Sequence, residues 1–226
     1  MTDDEPALPA RMRNLPRDKH DRPVPWFVAW IDGQPDFRII RSGGIRDALR
    51  FSTCWLCGAR LGRNVSFVLG PMCAINRTTA EPGSHYDCAV YAAQACPFLA
   101  TPQMKRREGH MPDSRTPAGV MIARNPGVAL VWTSRNWTLF PDGDGGMLID
   151  VGQPDRVDWF AHGRTATREE VLASIDSGLP ILRQMAEGDP DPAGAIAELE
   201  AQHAAALELV PGAAGRPERA VAAARA

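Results

Sequence analysis

The chain has 226 residues, of which 44% are hydrophobic and 23% are charged. These are the proportions of an ordinary globular protein that buries a core of its own. No apolar run approaches the roughly 18 residues of a membrane span, and residues 1–25 contain no apolar stretch of a secretory signal. The sequence therefore predicts a cytoplasmic protein without a membrane partner, in which thiols stay reduced.

The formal net charge of −2 is unevenly distributed along the chain. Residues 1–124 carry 17 Lys and Arg against 12 Asp and Glu, a net charge of +5, whereas residues 125–226 carry 8 against 15, a net charge of −7. A basic N-terminal half is suited to phosphates or to an acidic protein. The alternative is an ordinary solvated surface of mixed charge.

The N-terminal part of the chain predicts an irregular arm followed by a hairpin. Residues 1–25 are polar and rich in proline. Residues 26–31 and 37–41 have the composition of strands, and the turn formers at 32–36 separate them, which together predict a β-hairpin. A short helix at 45–51 then leads to the first cysteines.

All five cysteines fall within residues 54–96. In a reducing compartment, thiols that cluster with a histidine are typical of metal binding rather than of a disulfide framework. Two pairs have the spacing of metal ligands, Cys54-x-x-Cys57 and His85-x-x-Cys88. These four side chains would complete a tetrahedral zinc site.

The segment around these pairs predicts strands and a helix. Residues 63–69 and 72–76 are expected to form two short strands, joined by Gly70-Pro71. A helix at 86–96 follows, with Ser84 as its N-cap. The second ligand pair then lies at the start of this helix.

This order of a cysteine knuckle, a hairpin and two ligands at a helix start resembles a treble-clef zinc finger, over residues 52–98. The two pairs are similar to those of the first LIM-type finger, although the gap between them is longer here. The resemblance implies a zinc ion with a structural role, and metal binding would then supply folding free energy.

Two further cysteines are alternates for the ligand set. Cys73 and Cys96 are expected to be buried small hydrophobic residues, and the rival arrangement has Cys73 in place of His85. Along an intact helix, Cys88 and Cys96 would be about 12 Å apart, too far to share one metal. A set of four thiolates would also suit an iron–sulfur cluster instead of zinc.

No catalytic residues are predicted. The stretch at 70–76 is similar to a segment of phage recombination endonucleases of the HNH type. Residues 58–70, however, contain no His, Asp or Glu, and Asn76 stands where a second knuckle cysteine would lie. Hydrolysis by a metal-held water needs a general base, so an HNH-like nuclease remains a third alternative behind two binding functions.

The first binding function is association with DNA or RNA. Arginine is suited to phosphate contacts, and Trp55 and Tyr86 could add stacking. The candidate contacts are basic residues of the zinc module and of a basic loop at 99–118: Arg60, Arg63, Arg77, Lys105, Arg106 and Arg107. The second binding function is a protein-interaction or scaffold module, whose partner would dock on the C-terminal helices.

The C-terminal half predicts strands and then helices. Three strands at 128–133, 137–140 and 147–151 are expected to form an antiparallel meander, and 156–160 is a strand or a turn. Thr167-Arg-Glu-Glu170 is a capping box that starts a helix.

Gly178, Pro180 and a linker are expected to divide the helical part into three helices. Gly178 is expected to end the first helix, and Pro180 to start the next, at 180–187. A longer helix at 193–210 follows, and 211–226 would be a flexible tail.

The predicted fold class is α+β. Its predicted parts are an arm at 1–25, the hairpin and zinc module at 26–98, the basic loop, the meander and helices at 119–210, and the tail. The chain also resembles a group of small bacterial and phage-encoded proteins. This resemblance is carried by 25–27, 70–77, Ser84-His85-x-x-Cys88, 95–98 and Arg164-x-x-Thr167-Arg168.

Overall fold

The computed structural model describes residues 6–101, 127–142 and 145–212. These residues form α-helices and antiparallel strands, which confirms the predicted α+β class. Lys105, Arg106 and Arg107 lie outside the described residues, as does most of the predicted tail.

The N-terminal hairpin is confirmed, with a tighter turn than predicted. Strands β1 (Val28–Ile31) and β2 (Gln34–Ile40) pair antiparallel. Asp32 and Gly33 alone form the turn, and both have positive φ, 49° and 74°. An Asp-Gly pair suits this conformation, and its twist matches that of the strands. The hairpin leads to helix α1 (Gly44–Phe51).

A four-stranded sheet forms the centre of the molecule, in the order β3-β5-β8-β9. Its strands are β3 (Val65–Leu69), β5 (Ala129–Ser134), β8 (Arg156–Ala161) and β9 (Arg164–Thr165). Every residue of β5 is buried, since helices cover both faces of this strand. β3 comes from the predicted zinc module and β5 from the later segment, so one sheet joins the two.

The expected meander is wrong in its pairing. Strands β6 (Thr138–Pro141) and β7 (Met147–Asp150) form a hairpin, and the short β4 (Thr78–Thr79) pairs with β7. These three strands make a separate sheet, whereas β5 pairs with β3 and β8. Consecutive strands therefore lie in two sheets.

The predicted strand at 72–76 is a helix. Helix α2 (Pro71–Asn76) begins at Pro71, whose fixed φ suits the first helical position. Met72, Ala74 and Ile75 are buried, and β3 takes β5 as its partner. The hairpin expected of a treble clef is therefore not formed by β3 and 72–76.

Four further helices complete the fold: α3 (Tyr86–Ala95), α4 (Pro97–Ala100), α5 (Arg168–Glu187) and α6 (Pro192–Leu207). The predicted stop at Gly178 is wrong, because α5 continues through Gly178 and Pro180. A Cβ on Gly178 would lie 2.8 Å from Cγ of Met72. This glycine therefore allows α5 to approach α2 closely rather than ending the helix.

The main core lies between the central sheet and helices α2, α5 and α6. Val171 and Ile175 of α5 are fully buried in it. The face of α5 that carries these two residues therefore packs within the molecule.

The predicted capping box is confirmed at the start of α5. Thr167 Oγ1 accepts from the N–H of Glu170, and the Glu170 carboxylate accepts from the N–H of Thr167. Glu170 also pairs with Arg164 at 2.7 Å. The hydrogen bond from Arg164, followed by that from the Thr167 amide, lowers the pKa of Glu170 from 4.5 to about 2.

Glu170→Gln is expected to reduce stability by about 1 kcal/mol at pH 7. Because the folded-state pKa lies below the unfolded one, the contribution of Glu170 is complete above pH 4.5 and is lost as the pH falls toward 2. Urea unfolding at several pH values should show the difference between wild type and variant shrinking across that range. Glu187→Gln, at the C-terminal end of the same helix, is the control. A difference that is independent of pH would contradict this account.

Candidate metal centre

The structure brings the four predicted ligands together. The Sγ atoms of Cys54, Cys57 and Cys88 and one ring nitrogen of His85 all lie within 4.8 Å of one another. A tetrahedral zinc with bonds of 2.0–2.3 Å would place its donors about 3.8 Å apart. The spacing therefore fits a metal ion at the centre of the group, once the four donor atoms move slightly closer together. In the part of the chain that the structure describes, no second cluster of this kind occurs.

A tight knuckle presents the first two thiols. The N–H of Gly58 donates to the carbonyl of Cys54 at 3.0 Å, and the N–H of Cys54 donates to the carbonyl of Ala59 at 2.8 Å. The N–H of Cys57 points at Cys54 Sγ, at 3.4 Å. Gly58 has φ of +75°, and a Cβ there would collide with the Trp26 ring. The chain can therefore turn back on itself here only with glycine.

The other two ligands lie at the start of α3. His85, rather than the predicted Ser84, is the N-cap, and Cys88 lies in the first turn. Ser84 instead exchanges backbone hydrogen bonds with Ser66 of β3, at 2.7 and 2.9 Å. The N–H of His85 points at Cys54 Sγ at 3.4 Å. Amide groups and the positive end of the helix thus favour thiolates in this place.

The ring of His85 is oriented by a backbone carbonyl. Nε2 lies 3.0 Å from the carbonyl oxygen of Arg60. A carbonyl can only accept, so Nε2 donates in this contact and Nδ1 is the ring nitrogen available to a metal. Nδ1 lies 3.4 Å from Cys57 Sγ, on the side of the other donors. A metal-ligating histidine is commonly held in this way by a carbonyl on its outer nitrogen.

The three thiols differ in their readiness to ionise. The hydrogen bond from Cys88, together with those from backbone amides of Cys57 and His85, lowers the pKa of the Cys54 thiol to about 4 despite its burial. The same hydrogen bond, followed by burial, raises the pKa of Cys88, and burial raises that of Cys57. Without a cation, the buried group therefore accommodates one thiolate more readily than three.

The N-terminal arm covers the candidate metal centre. Cys54 and Cys88 are fully buried in a small cluster that includes Met12, which is 2% exposed. Arg11 forms an ion pair with Asp87 of α3 at 3.0 Å. This contact could not be predicted from the sequence, because an irregular, proline-rich segment has no periodic pattern.

The two aromatic candidates for base stacking have partners within the protein. Trp55 is 4% exposed and stacks on Phe27, with ring centroids 4.8 Å apart. The guanidinium of Arg156 lies 4.2 Å from the ring centroid of Tyr86. Burial, followed by the nearby Asp158, raises the pKa of Tyr86 to about 12. Both rings thus hold the metal centre to the rest of the fold.

The two alternate cysteines lie outside the group. Cys73 belongs to α2 and packs against the main core, where burial raises the pKa of its thiol to about 11. Cys96 lies at the junction of α3 and α4. The cluster therefore offers three thiols and one imidazole, and not the set of four thiols on which the iron–sulfur alternative was based.

The basic candidates are not all in one place. Arg60 and Arg63 are exposed and follow the knuckle directly. Arg77 is half-buried at the C-terminal end of α2, where its carbonyl accepts from the N–H of Val151. Arg60 and Arg63 are therefore the candidates that adjoin the metal centre.

Comparison of the chain with protein-family models, with curated proteins and with solved structures finds no match to any of them. The treble-clef resemblance and the resemblance to bacterial and phage proteins are thus carried by the motifs alone. Among the helices within the described ranges, none is both long and apolar enough to cross a membrane.

Proposed function

We propose that this protein is a zinc-stabilised, non-enzymatic binding protein that associates with nucleic acid beside its metal centre. The donor set supports zinc, since tetrahedral sites of thiolate and imidazole suit that ion. Four protein donors fill a tetrahedral zinc site and leave no position for a reactive water, as expected of a structural zinc. This argues for binding over nuclease chemistry.

The observation that carries the proposal is the placement of two exposed arginines on the loop beside the candidate metal ligands. Arg60 and Arg63 are exposed, and neither has a carboxylate partner among the described residues. The carbonyl of Arg60 accepts from the ligand His85, and Thr53 forms a β-bridge with Arg60. Metal binding would therefore fix the backbone from which both guanidinium groups extend.

Arg38 and Arg41 of the same half are less available for phosphates. Arg38 pairs with Asp36 at 2.6 Å, and Arg41 pairs with Asp47 at 3.5 Å. Binding of phosphate by these side chains would have to compete with the carboxylates. For the two arginines beside the knuckle, the described part of the chain supplies no such competing carboxylate.

The charge distribution of the described residues supports a polyanionic partner for this half. Residues 6–64 carry eleven Lys and Arg against five Asp and Glu, a net charge of +6. Residues 145–212 carry four against twelve, a net charge of −8. A polyanion would approach the first part and be repelled by the second, which orients it toward the knuckle.

The test is nucleic-acid binding of an Arg60→Gln/Arg63→Gln variant at several salt concentrations. Each lost phosphate contact should reduce the slope of log affinity against log salt by about 0.7 to 0.9, so the double variant should lose about 1.4 to 1.8. Fluorescence anisotropy with labelled oligonucleotides measures this. Metal analysis of the same sample should give one zinc per chain.

Arg183→Gln is the matched control, because Arg183 is exposed but lies on α5 and pairs with Glu200. It should bind like wild type. Absence of binding at low salt would reject the nucleic-acid function and favour a protein partner. An unchanged slope in the double variant would reject the role of Arg60 and Arg63.

A further inference from the structure

We infer that the nucleic acid bound here is single-stranded, and that Phe51 is a stacking residue for an unpaired base. The inference rests on the proposed function, and it adds a partner class and a residue. It concerns Phe51 with its neighbour Arg50, and the nearby loop that carries Arg60 and Arg63.

Phe51 is held outward by the end of α1. Its side chain is 59% exposed, more than any other large hydrophobic side chain in the described residues. The next residue, Ser52, has the left-handed conformation, with φ of 49°, and ends the helix. The chain then turns inward to Cys54, and Phe51 stays at the surface.

Backbone pairing brings the arginine-bearing loop to the same place. The N–H of Leu61 donates to the carbonyl of Ser52 at 2.7 Å. Thr53 and Arg60 form a β-bridge. The segment that carries Arg60 and Arg63 thus runs beside the residues that directly follow Phe51.

A guanidinium group already contacts the exposed ring. The central carbon of Arg50 lies 5.3 Å from the ring centroid of Phe51, within the range of a cation–π interaction. An aromatic ring with an arginine beside it can stack on a base while arginines of the same region contact the neighbouring phosphates.

Stacking on a protein side chain selects for unpaired bases. In a duplex, both faces of each base are covered by neighbouring base pairs, so an exposed ring gains no stacking partner without unstacking one. In a single strand the base faces are accessible, and stacking on one aromatic side chain changes affinity by about 5- to 150-fold. DNA and RNA single strands share this chemistry.

The experiment compares Phe51→Leu and Phe51→Trp in the full chain. Labelled oligonucleotides of one mixed sequence are used as single-stranded DNA, as single-stranded RNA and as a DNA duplex. Wild type should bind the single strands more tightly than the duplex. Phe51→Leu, which keeps an apolar side chain but loses the ring, should weaken single-strand binding by 5-fold or more and leave duplex binding unchanged. Phe51→Trp should retain the single-strand preference.

The control is Met185→Ala, which truncates an exposed apolar side chain of α5 (49% exposed), in the acidic half. It should leave all affinities unchanged, and zinc content should be one per chain in every variant. A higher affinity for RNA or for DNA would identify the source of the single strand, and either result supports the inference.

The inference and the proposed function fail in different ways. Equal binding of duplex and single strands, or a Phe51→Leu variant that binds single strands like wild type, would overturn the inference. The salt response of the Arg60→Gln/Arg63→Gln variant would still support the proposed function in that case. If wild type binds none of the oligonucleotides, both are rejected.

Discussion

Cys57→Ser and Cys88→Ser are each expected to abolish stoichiometric metal binding and to unfold at least residues 52–98. A structural zinc contributes on the order of 10 kcal/mol of binding free energy, which is comparable with the entire stability of a typical domain. Cys88 is fully buried in the first turn of α3. Without the metal, the hydroxyl introduced by Cys88→Ser would be a buried polar group with a poor hydrogen-bond partner.

The damage should extend beyond the knuckle. Ala89 and Ala93 of α3 are buried against Val131 and Phe160 of the central sheet. Loss of the helix start would therefore expose one face of that sheet. We expect the thermal unfolding midpoint of either variant to fall strongly, or the protein to be recovered only as aggregate. Wild type treated with a chelator should behave in the same way.

Metal analysis separates the proposed ligand set from its rivals. Cys73→Ser and Cys96→Ser, which change thiols outside the cluster, should each retain one metal per chain. One metal per chain in both Cys57→Ser and Cys88→Ser would reject the site. Loss of metal in Cys73→Ser with retention in His85→Ala would establish the rival set. Zinc as the element found, without the visible absorption of an iron–sulfur cluster, would identify the ion.

The candidate metal ligands could be predicted from sequence because their signal is local. Cys54-x-x-Cys57 and His85-x-x-Cys88 each place two donors within one turn of the chain, whatever the rest of the fold does. The capping box at Thr167 is of the same kind, since its hydrogen bonds join residues three apart. Such features depend little on distant contacts.

The errors have non-local causes. A strand was expected at 72–76, but burial of Met72 and Ile75 against α5 and α6 favours a helix. Gly178 has the sequence character of a helix stop, yet its role depends on contact with Met72, about a hundred residues earlier. Pairing of β3 with β5 likewise crosses some 60 residues of chain, and no local pattern specifies a partner at that distance.

The packing of the N-terminal arm over the candidate metal centre could not be predicted either, and the reason is related. Met12 and Arg11 approach α3 from an arm without periodic apolar spacing. Their contacts are specified by the shape and charge of the site they meet, such as Asp87 on α3. The residues of the arm can be read from the sequence, but the surface on which they pack exists only in the folded protein.

Gly83→Ala is expected to destabilise the protein by about 3 kcal/mol, the upper part of the range for overpacking a core. A Cβ at this position would overlap Cγ1 of Val65 and lie 3.2 Å from the ring of Phe67. Both side chains are buried in β3. The residue therefore marks where the chain entering α3 lies directly on the central sheet.

The backbone at Gly83 has little freedom to move away. Its carbonyl accepts from the N–H of Trp55, between the two knuckle cysteines, at 3.0 Å, and the next residue, Ser84, pairs with Ser66. Any retreat from Val65 would shift these bonds. We therefore expect weaker metal retention together with the loss of stability, measured by urea unfolding and by competition with a chelator.

Two companion variants make this last prediction specific. Gly62→Ala adds the same methyl group where nothing lies within 4 Å and φ is not positive, so it should be neutral or slightly stabilising. Val65→Ala in the Gly83→Ala background removes the overlapping atom and should recover part of the loss, as a favourable coupling in a double-mutant cycle. A Gly83→Ala protein as stable as wild type, or additive effects of the two substitutions, would contradict the close approach of 82–84 to β3. Recovery of both stability and metal retention in the double variant would show that the metal centre depends on the central sheet through this contact.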